Sequence, residues 1–246
     1  VFINTPFQGY FLMFGQMMWG GRVASVPTND WSPLTKLLLH FDGTVKDECG
    51  HTTSRYSTAA ISLADSKFGS GCLSNVGSNA CVQVAAASDL QPGNQSISFE
   101  CWVKPSSSLS GENATFYSCG AYNGDQSARL QFWHSNRQLR ISYGALTASF
   151  SLDALPQPGV WTHMWFWVDK TASINNKVGI HLGGTKLQQV ASDGPLAEDA
   201  ITACDTFTIG AWRTAGQGVS YRYNGLIDDV RLIIGELPYS TTGNIT

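Results

Sequence analysis

The chain has 246 residues, 43% hydrophobic and only 13% charged, with 15 basic against 18 acidic side chains and a net charge of −3. A charged fraction near half of the usual ~25% excludes a disordered or coiled-coil protein. The near-neutral balance offers no basic funnel for a phosphate backbone, and no apolar run reaches the ~18–20 residues that span a bilayer, so neither nucleic acid nor a helical membrane span enters the reading.

Residues 1–33 differ in character from the rest of the chain. Phe7, Tyr10, Phe11, Phe14, Met17, Met18 and Trp19 stand in a stretch with no charge before Arg22 and with neither helical nor alternating period, and Pro27 to Pro33 form a turn-rich linker. Burying one such side chain is worth ~1.5–3 kcal/mol, so the segment is expected to pack rather than stay in water. It is read as an assembly arm that reaches a copy of the same chain or another particle protein; the alternative is that it folds back as extra strands.

From residue 34 to 246 the pattern is that of short strands. Leu37–Phe41 is an apolar run, and Cys81–Ala85 alternates weakly. Ser96–Lys104 alternates cleanly, with Ile97, Phe99, Cys101 and Val103 on one face and Ser98, Glu100, Trp102 and Lys104 on the other. Further runs follow at Phe116–Gly120, Ala128–His134, Leu139–Tyr143, Ala148–Leu152, Trp161–Val168, Val178–Leu182, Phe207–Ala211 and Leu226–Ile234. Turn clusters separate them, and Gly183-Gly184 marks a hairpin. Trp161–Val168 is apolar on both faces, which predicts a strand covered on both sides. Together these predict an all-β fold, a two-sheet antiparallel jelly-roll sandwich.

The six cysteines, Cys49, Cys72, Cys81, Cys101, Cys119 and Cys204, show no zinc-ligand spacing. Cys101 and Cys119 fall in apolar strand patterns and are expected as reduced, buried thiols; Cys49, Cys72, Cys81 and Cys204 lie near turns and are the ones expected to pair if the protein folds outside a reducing cytosol. Three N-x-[ST] sequons, at Asn94, Asn113 and Asn244, are no more than this composition produces by chance.

Six segments stand out in order: Leu37-Leu38-Leu39-His40-Phe41-Asp42-Gly43-Thr44, Asp47-Glu48-Cys49-Gly50-His51, Ser66-Lys67-Phe68-Gly69 with Leu73, Ile97 to Pro105, Trp161-Thr162-His163, and Gly225-Leu226-Ile227-Asp228-Asp229-Val230-Arg231-Leu232. Together they resemble the laminin-G-like branch of the concanavalin A-like lectin/glucanase superfamily. Asp30-Trp31 ahead of the first strand, and the run from Arg231 to Tyr239, look most like the copies found in bacteriophage tail and other virion proteins. The resemblance implies a lectin-like jelly roll. It also implies a structural calcium ion, for which Asp42, Asp47 and Asp228 match positions able to supply oxygen ligands; the alternative is that these carboxylates only cap turns and a strand end.

Catalysis is not expected. Glucanases of this superfamily carry E-x-D-x-x-E on one strand, which brings carboxyl groups within the ~5 Å that retaining hydrolysis needs. Here Glu100 is alone in its strand, and Asp228 and Asp229 are adjacent and so point apart. His163 is read as a structural hydrogen-bonding residue. Trp133, Trp165, Trp167, Trp212 and Tyr221 are candidate platforms for sugar stacking. The reading is a non-enzymatic virion protein, on tail, fibre or head, that displays a lectin-like domain and binds host-surface glycan. The alternative is a secreted or cell-surface carbohydrate-binding module.

Overall fold

The computed structural model describes residues 33–76, 80–107, 113–120, 128–133, 137–144, 146–151, 156–172, 178–193, 206–214, 218–239 and 241. In chain order the strands are β1 (Thr35–Leu39), β2 (Thr53–Tyr56), β3 (Ala60–Ser62), β4 (Cys72–Ser74), β5 (Cys81–Ala85), β6 (Ser96–Pro105), β7 (Ala114–Cys119), β8 (Ala128–Trp133) and β9 (Gln138–Tyr143). They continue as β10 (Leu146–Ser151), β11 (Thr162–Val168), β12 (Val178–Leu182), β13 (Thr185–Lys186), β14 (Gln189–Asp193), β15 (Thr206–Ile209), β16 (Trp212–Thr214), β17 (Gly218–Ser220) and β18 (Gly225–Gly235). A single 3-10 turn at Ser88–Leu90 is the one helical element among the described residues.

Two antiparallel eight-stranded sheets form the predicted sandwich. Sheet A runs β13-β12-β11-β6-β18-β4-β3, with β1 also on β18; sheet B runs β14-β10-β9-β8-β7-β15-β5-β2. The clean alternation of β6 does what period 2 requires: Ile97, Phe99, Cys101 and Val103 enter the shared core. There Phe99 packs on Tyr117 of sheet B and on Phe166 of β11 at centroid distances of 4.8 and 5.5 Å. The Gly183-Gly184 hairpin is present, both glycines at positive φ, between β12 and β13.

As expected, β11 is covered on both sides. Met164, Phe166 and Val168 face the core, while Trp165 and Trp167, on the opposite face, are also fully buried. The Trp165 ring is stacked on His181 at 4.7 Å and meets Tyr239 edge-on at 5.0 Å. The Lys186 ammonium lies 5.5 Å from the Trp167 ring and donates to the Thr241 carbonyl at 2.5 Å. The chain after β18 therefore folds back across the outside of sheet A.

The Trp167 indole lies flat against Gly179 on β12, where a Cβ would come within 2.3 Å of the ring. Gly179→Ala is therefore expected to lower stability by about 1–3 kcal/mol, read from urea unfolding; an unchanged midpoint would contradict this packing.

The resembling segments, far apart in sequence, meet in space. The Asp47 carboxylate accepts from the Leu38, Cys49 and His51 amides at 2.8, 3.1 and 3.0 Å and from His51 Nδ1 at 2.6 Å. Asp228 accepts from the Lys67 and Phe68 amides at 2.7 and 3.0 Å. Asp42 accepts from the Ser70 and Gly71 amides at 2.5 and 3.2 Å. Gly69, at φ +55, packs so closely on Asp42 that a Cβ would lie 2.1 Å from its carboxylate. Glu100 pairs with Arg231 and accepts from His163 at 3.2 Å and from Tyr239 at 3.1 Å. His163 is thus the structural residue expected of it.

The cysteines meet expectation at Cys101 and depart from it at Cys119. Cys101 is buried and free, and burial pushes its thiol far up from the ordinary range. None of Cys49, Cys72, Cys81 and Cys101 is in a disulfide, whereas Cys119 is disulfide-bonded. The strand pattern correctly marks Cys119 as buried, but burial alone does not tell a thiol from a half-cystine. Cys204 lies outside the described residues, as do residues 1–32 with Phe7, Tyr10, Phe11, Phe14, Met17, Met18 and Trp19 of the expected arm. Peptide mapping without reductant is expected to find Cys119 in a cross-linked peptide pair; full alkylation of Cys119 in the unreduced, denatured chain would refute it.

Candidate functional site

Sheet B presents a polar outer face. In β8 to β10 the core takes Ala128, Leu130, Phe132, Leu139, Ile141, Tyr143, Leu146, Ala148 and Phe150. Alternation then sends Arg129, Gln131, Gln138, Arg140, Ser142, Thr147 and Ser149 outward. The registers line these residues into rows across the strands. One row runs Ser54, Gln83, Thr208, Ser118, Arg129, Ser142 and Thr147. The next runs Thr115, Gln131, Arg140 and Ser149, with Gln131 Nε2 donating to Thr115 Oγ1 at 3.2 Å.

Part of this face is overlaid by the excursion from Gly210 to Tyr223, which carries the β16–β17 hairpin. The Thr208 hydroxyl donates to the Ala211 carbonyl at 2.7 Å, and the Thr115 amide donates to the Tyr221 carbonyl at 2.7 Å. Thr115 and Thr208 are buried beneath it, and Ser118, Gln131, Ser142 and Ser149 of the same rows are buried too. Arg140, Gln138 and Thr147 lie beyond it and keep solvent exposure.

At the edge of this overlay stands a three-layer stack. The Arg129 guanidinium lies 4.3 Å from the Trp212 ring centroid, and Tyr221 stacks on Trp212 at 5.2 Å with an interplanar angle of 19°. Trp212 is 4% exposed and Tyr221 41% exposed, so the indole is the buried middle layer and the phenol is the open top. A cation over an indole and a stacked ring pair each contribute roughly 0.5–1.5 kcal/mol, which fixes the plane of the exposed ring. Tyr221 also sits at φ +48, a left-handed conformation that costs a residue with a Cβ on the order of 1 kcal/mol. Strain of this kind persists only where the surroundings impose it, and it concentrates at binding sites.

The five candidate platforms thus separate. Trp212 and Tyr221 come together, with Tyr221 the ring that faces solvent. Trp165 and Trp167 are corrected: both are fully buried on the outside of sheet A and offer no stacking surface. Alternation places them off the core face, but it carries no information about the returning chain that covers them. The Trp133 side chain lies outside the described residues. The polar rows were not anticipated, although the signal is in the sequence: Ala128–Trp133, Gln138–Tyr143 and Leu146–Ser151 each alternate apolar and polar.

Asp42, Asp47 and Asp228 each accept from a different group of backbone amides, and among the described residues no group of three or more His, Cys, Asp or Glu is placed to hold a metal ion. Asp228 holds the Lys67–Phe68 turn, while Asp229 bonds His40 at 2.8 Å. Burial works against ionisation of Glu100, but the His163 hydrogen bond and the Arg231 charge hold its carboxyl below the usual range.

Comparison with known proteins agrees with this architecture. Domain 4 of AbnA, a GH43 extracellular arabinanase from Geobacillus stearothermophilus solved with arabinotriose, superposes with a TM-score of 0.57 at 19% identity, over 86% of this chain and 94% of that one. The binding domain of Paraclostridial Mosquitocidal Protein 1 gives 0.59 at 12% identity over 82% of this chain, and the binding domain of botulinum neurotoxin DC in complex with SialylT gives 0.52 at 13% over 83%. The chain spans about half the length of these toxin binding domains, 49% in each case. No curated protein matches the sequence. Residues 76–238, more than half of the chain, match the Laminin_G_3 family model, so this chain belongs to the concanavalin A-like lectin/glucanases superfamily.

Proposed function

We propose that the protein is a non-catalytic carbohydrate-binding module that takes its glycan at the exposed face of Tyr221 and the polar side chains of sheet B beside it. The observation that carries the reading is the Arg129–Trp212–Tyr221 stack, which holds an aromatic ring open to solvent, in a strained backbone conformation, at the edge of a face rich in hydroxyl, amide and guanidinium groups. Sugar rings combine an apolar C–H face with hydroxyls in the ring plane, so an aromatic platform with flanking donors and acceptors is complementary to them. Two similar folds were solved with an oligosaccharide or SialylT bound, which supports this ligand class.

On its setting, the disulfide at Cys119 favours the secreted or cell-surface module, because disulfides persist outside reducing compartments. The virion reading rests on Asp30-Trp31 and the Arg231–Tyr239 run, and it keeps the same glycan-binding role on a displayed domain.

Binding to a glycan array carrying arabinotriose and sialylated oligosaccharides tests the function. The protein is expected to capture a subset of the glycans, and Tyr221→Ala to lose about tenfold or more of that affinity while its melting temperature falls by no more than about 5 °C. Equal capture by both proteins, or none by either, would overturn the proposal.

A further inference from the structure

We infer that Asn75, a buried residue remote from the polar face, is a positioning residue for the Tyr221 platform; the inference rests on the glycan-binding reading above. Asn75 is fully buried, and its side-chain Nδ2 donates to the Gly210 and Tyr223 carbonyls, both at 2.8 Å. Those residues are the two ends of the excursion that carries Trp212 and Tyr221. The Tyr223 amide closes the same neck by donating to the Gly210 carbonyl at 2.7 Å. One amide group therefore cross-links the base of a 14-residue excursion (210 to 223 inclusive), two residues along the chain from the exposed ring of Tyr221.

The position admits little else. The Asn75 Oδ1 has no partner, so the residue serves here through its two donors alone, which aspartate lacks. Gly210 is at φ +88, and a Cβ there would lie 2.6 Å from Asn75 Nδ2, so the two residues are fitted to each other. The Asn75 backbone is itself fixed, its amide donating to the Gly225 carbonyl at 2.9 Å where β18 of sheet A begins. Asn75 thus references the platform, which lies on sheet B, to the frame of sheet A. Without that tie the neck keeps the Tyr223–Gly210 bond and its holds on Phe116 and Thr115 of β7 but loses its side-chain link to sheet A, which loosens the frame around the left-handed turn at Tyr221.

The test uses Asn75→Asp and Asn75→Ala in the full chain. The readouts are the ring-proton shifts of Tyr221, displaced by the ring current of Trp212, and the exchange rates of the Thr115 and Tyr223 amides. Either folded variant is expected to return the Tyr221 ring shifts toward those of an unstacked tyrosine. The two amides should exchange about tenfold faster, while the amides of Cys101 and Phe166 keep their protection. Unchanged Tyr221 shifts and exchange, protection lost evenly across β6 and β11, or failure of both variants to fold would each overturn the inference. Arabinotriose binding is followed in parallel. Tyr221→Ala that binds arabinotriose as the parent does would count against the glycan reading alone and leave the positioning role standing.

Discussion

Replacing Arg231 with methionine is expected to cost about 3 kcal/mol, and to lower the melting temperature by on the order of 10 °C. Glu100 is 6% exposed, and its carboxylate depends on the Arg231 guanidinium, with His163 and Tyr239 as its other partners. Removing the cation leaves a buried carboxylate with only the His163 and Tyr239 hydrogen bonds, and loss of one partner of a buried pair costs far more than the intact pair contributes. Tyr239 also bonds Arg231 at 3.2 Å, so the same substitution loosens the returning chain that covers Trp165. The double variant Glu100→Leu, Arg231→Met is expected to recover most of the loss. Equal destabilisation by the single and double variants would show that packing of the arginine stem, rather than the orphaned charge, sets the cost.

The second large effect is with pH. Burial raises the Asp228 carboxyl from 3.8 to about 6, against three backbone amides that favour its ionised form. The folded state therefore holds a proton that the unfolded chain releases, and this stability, present below about pH 4, is lost as pH rises through about 6. The shift corresponds to on the order of 2–3 kcal/mol. His40 and His51 act in the same direction over a higher window. His40 is raised by its hydrogen bond to Asp229; for His51, burial opposes the charge, but the bonds to Asp47 and Asp89 prevail. Their stabilisation is complete below about 6.5 and fades as pH climbs through their elevated values. Glu100, Asp65 and Asp89 are lowered instead, and their stabilisation is lost only as pH falls below about 4. Melting temperature is thus expected to peak near pH 4.5–5 and to fall toward pH 8. Asp228→Asn should flatten the decline between about pH 4 and 6. A melting temperature that rises from pH 5 to pH 8 would contradict the assignment.

The sandwich was legible because period-2 alternation is a direct statement of which side chains share a face. Ile97, Phe99, Cys101 and Val103 enter the core as their spacing requires, and the doubly apolar Trp161–Val168 run became a central strand. The first and last of the resembling segments pair as strands, Leu39 opposite Val230, a contact that no local pattern announces. What alternation cannot carry is the identity of whatever lies over a face. Trp165 and Trp167 stand on the outer side of sheet A, yet they are covered by Tyr239, on the chain that returns after Gly235, and by Lys186 of β13. The carboxylates show the same limit. Asp42, Asp47 and Asp228 stand out in the sequence as fixed points, but the amides they hold belong to loops brought together only by the fold. Trp212 and Tyr221 stand out only as aromatics near turns. Their stacking, the guanidinium beneath them and the hold of Asn75 on their base join segments more than eighty residues apart, from Arg129 to Trp212 and from Asn75 to Gly210, and have no local signature.

The central claim, that glycan binds at the top of the Arg129–Trp212–Tyr221 stack and on the polar rows beside it, is tested most directly by mapping amide chemical-shift changes as the best-captured oligosaccharide of the array is titrated in. The account predicts saturable shifts at Tyr221, Gln138, Arg140 and Thr147, with the outer face of sheet A around Trp165 and His181 unmoved. Shifts confined to sheet A, or an array from which no oligosaccharide is captured, would contradict it.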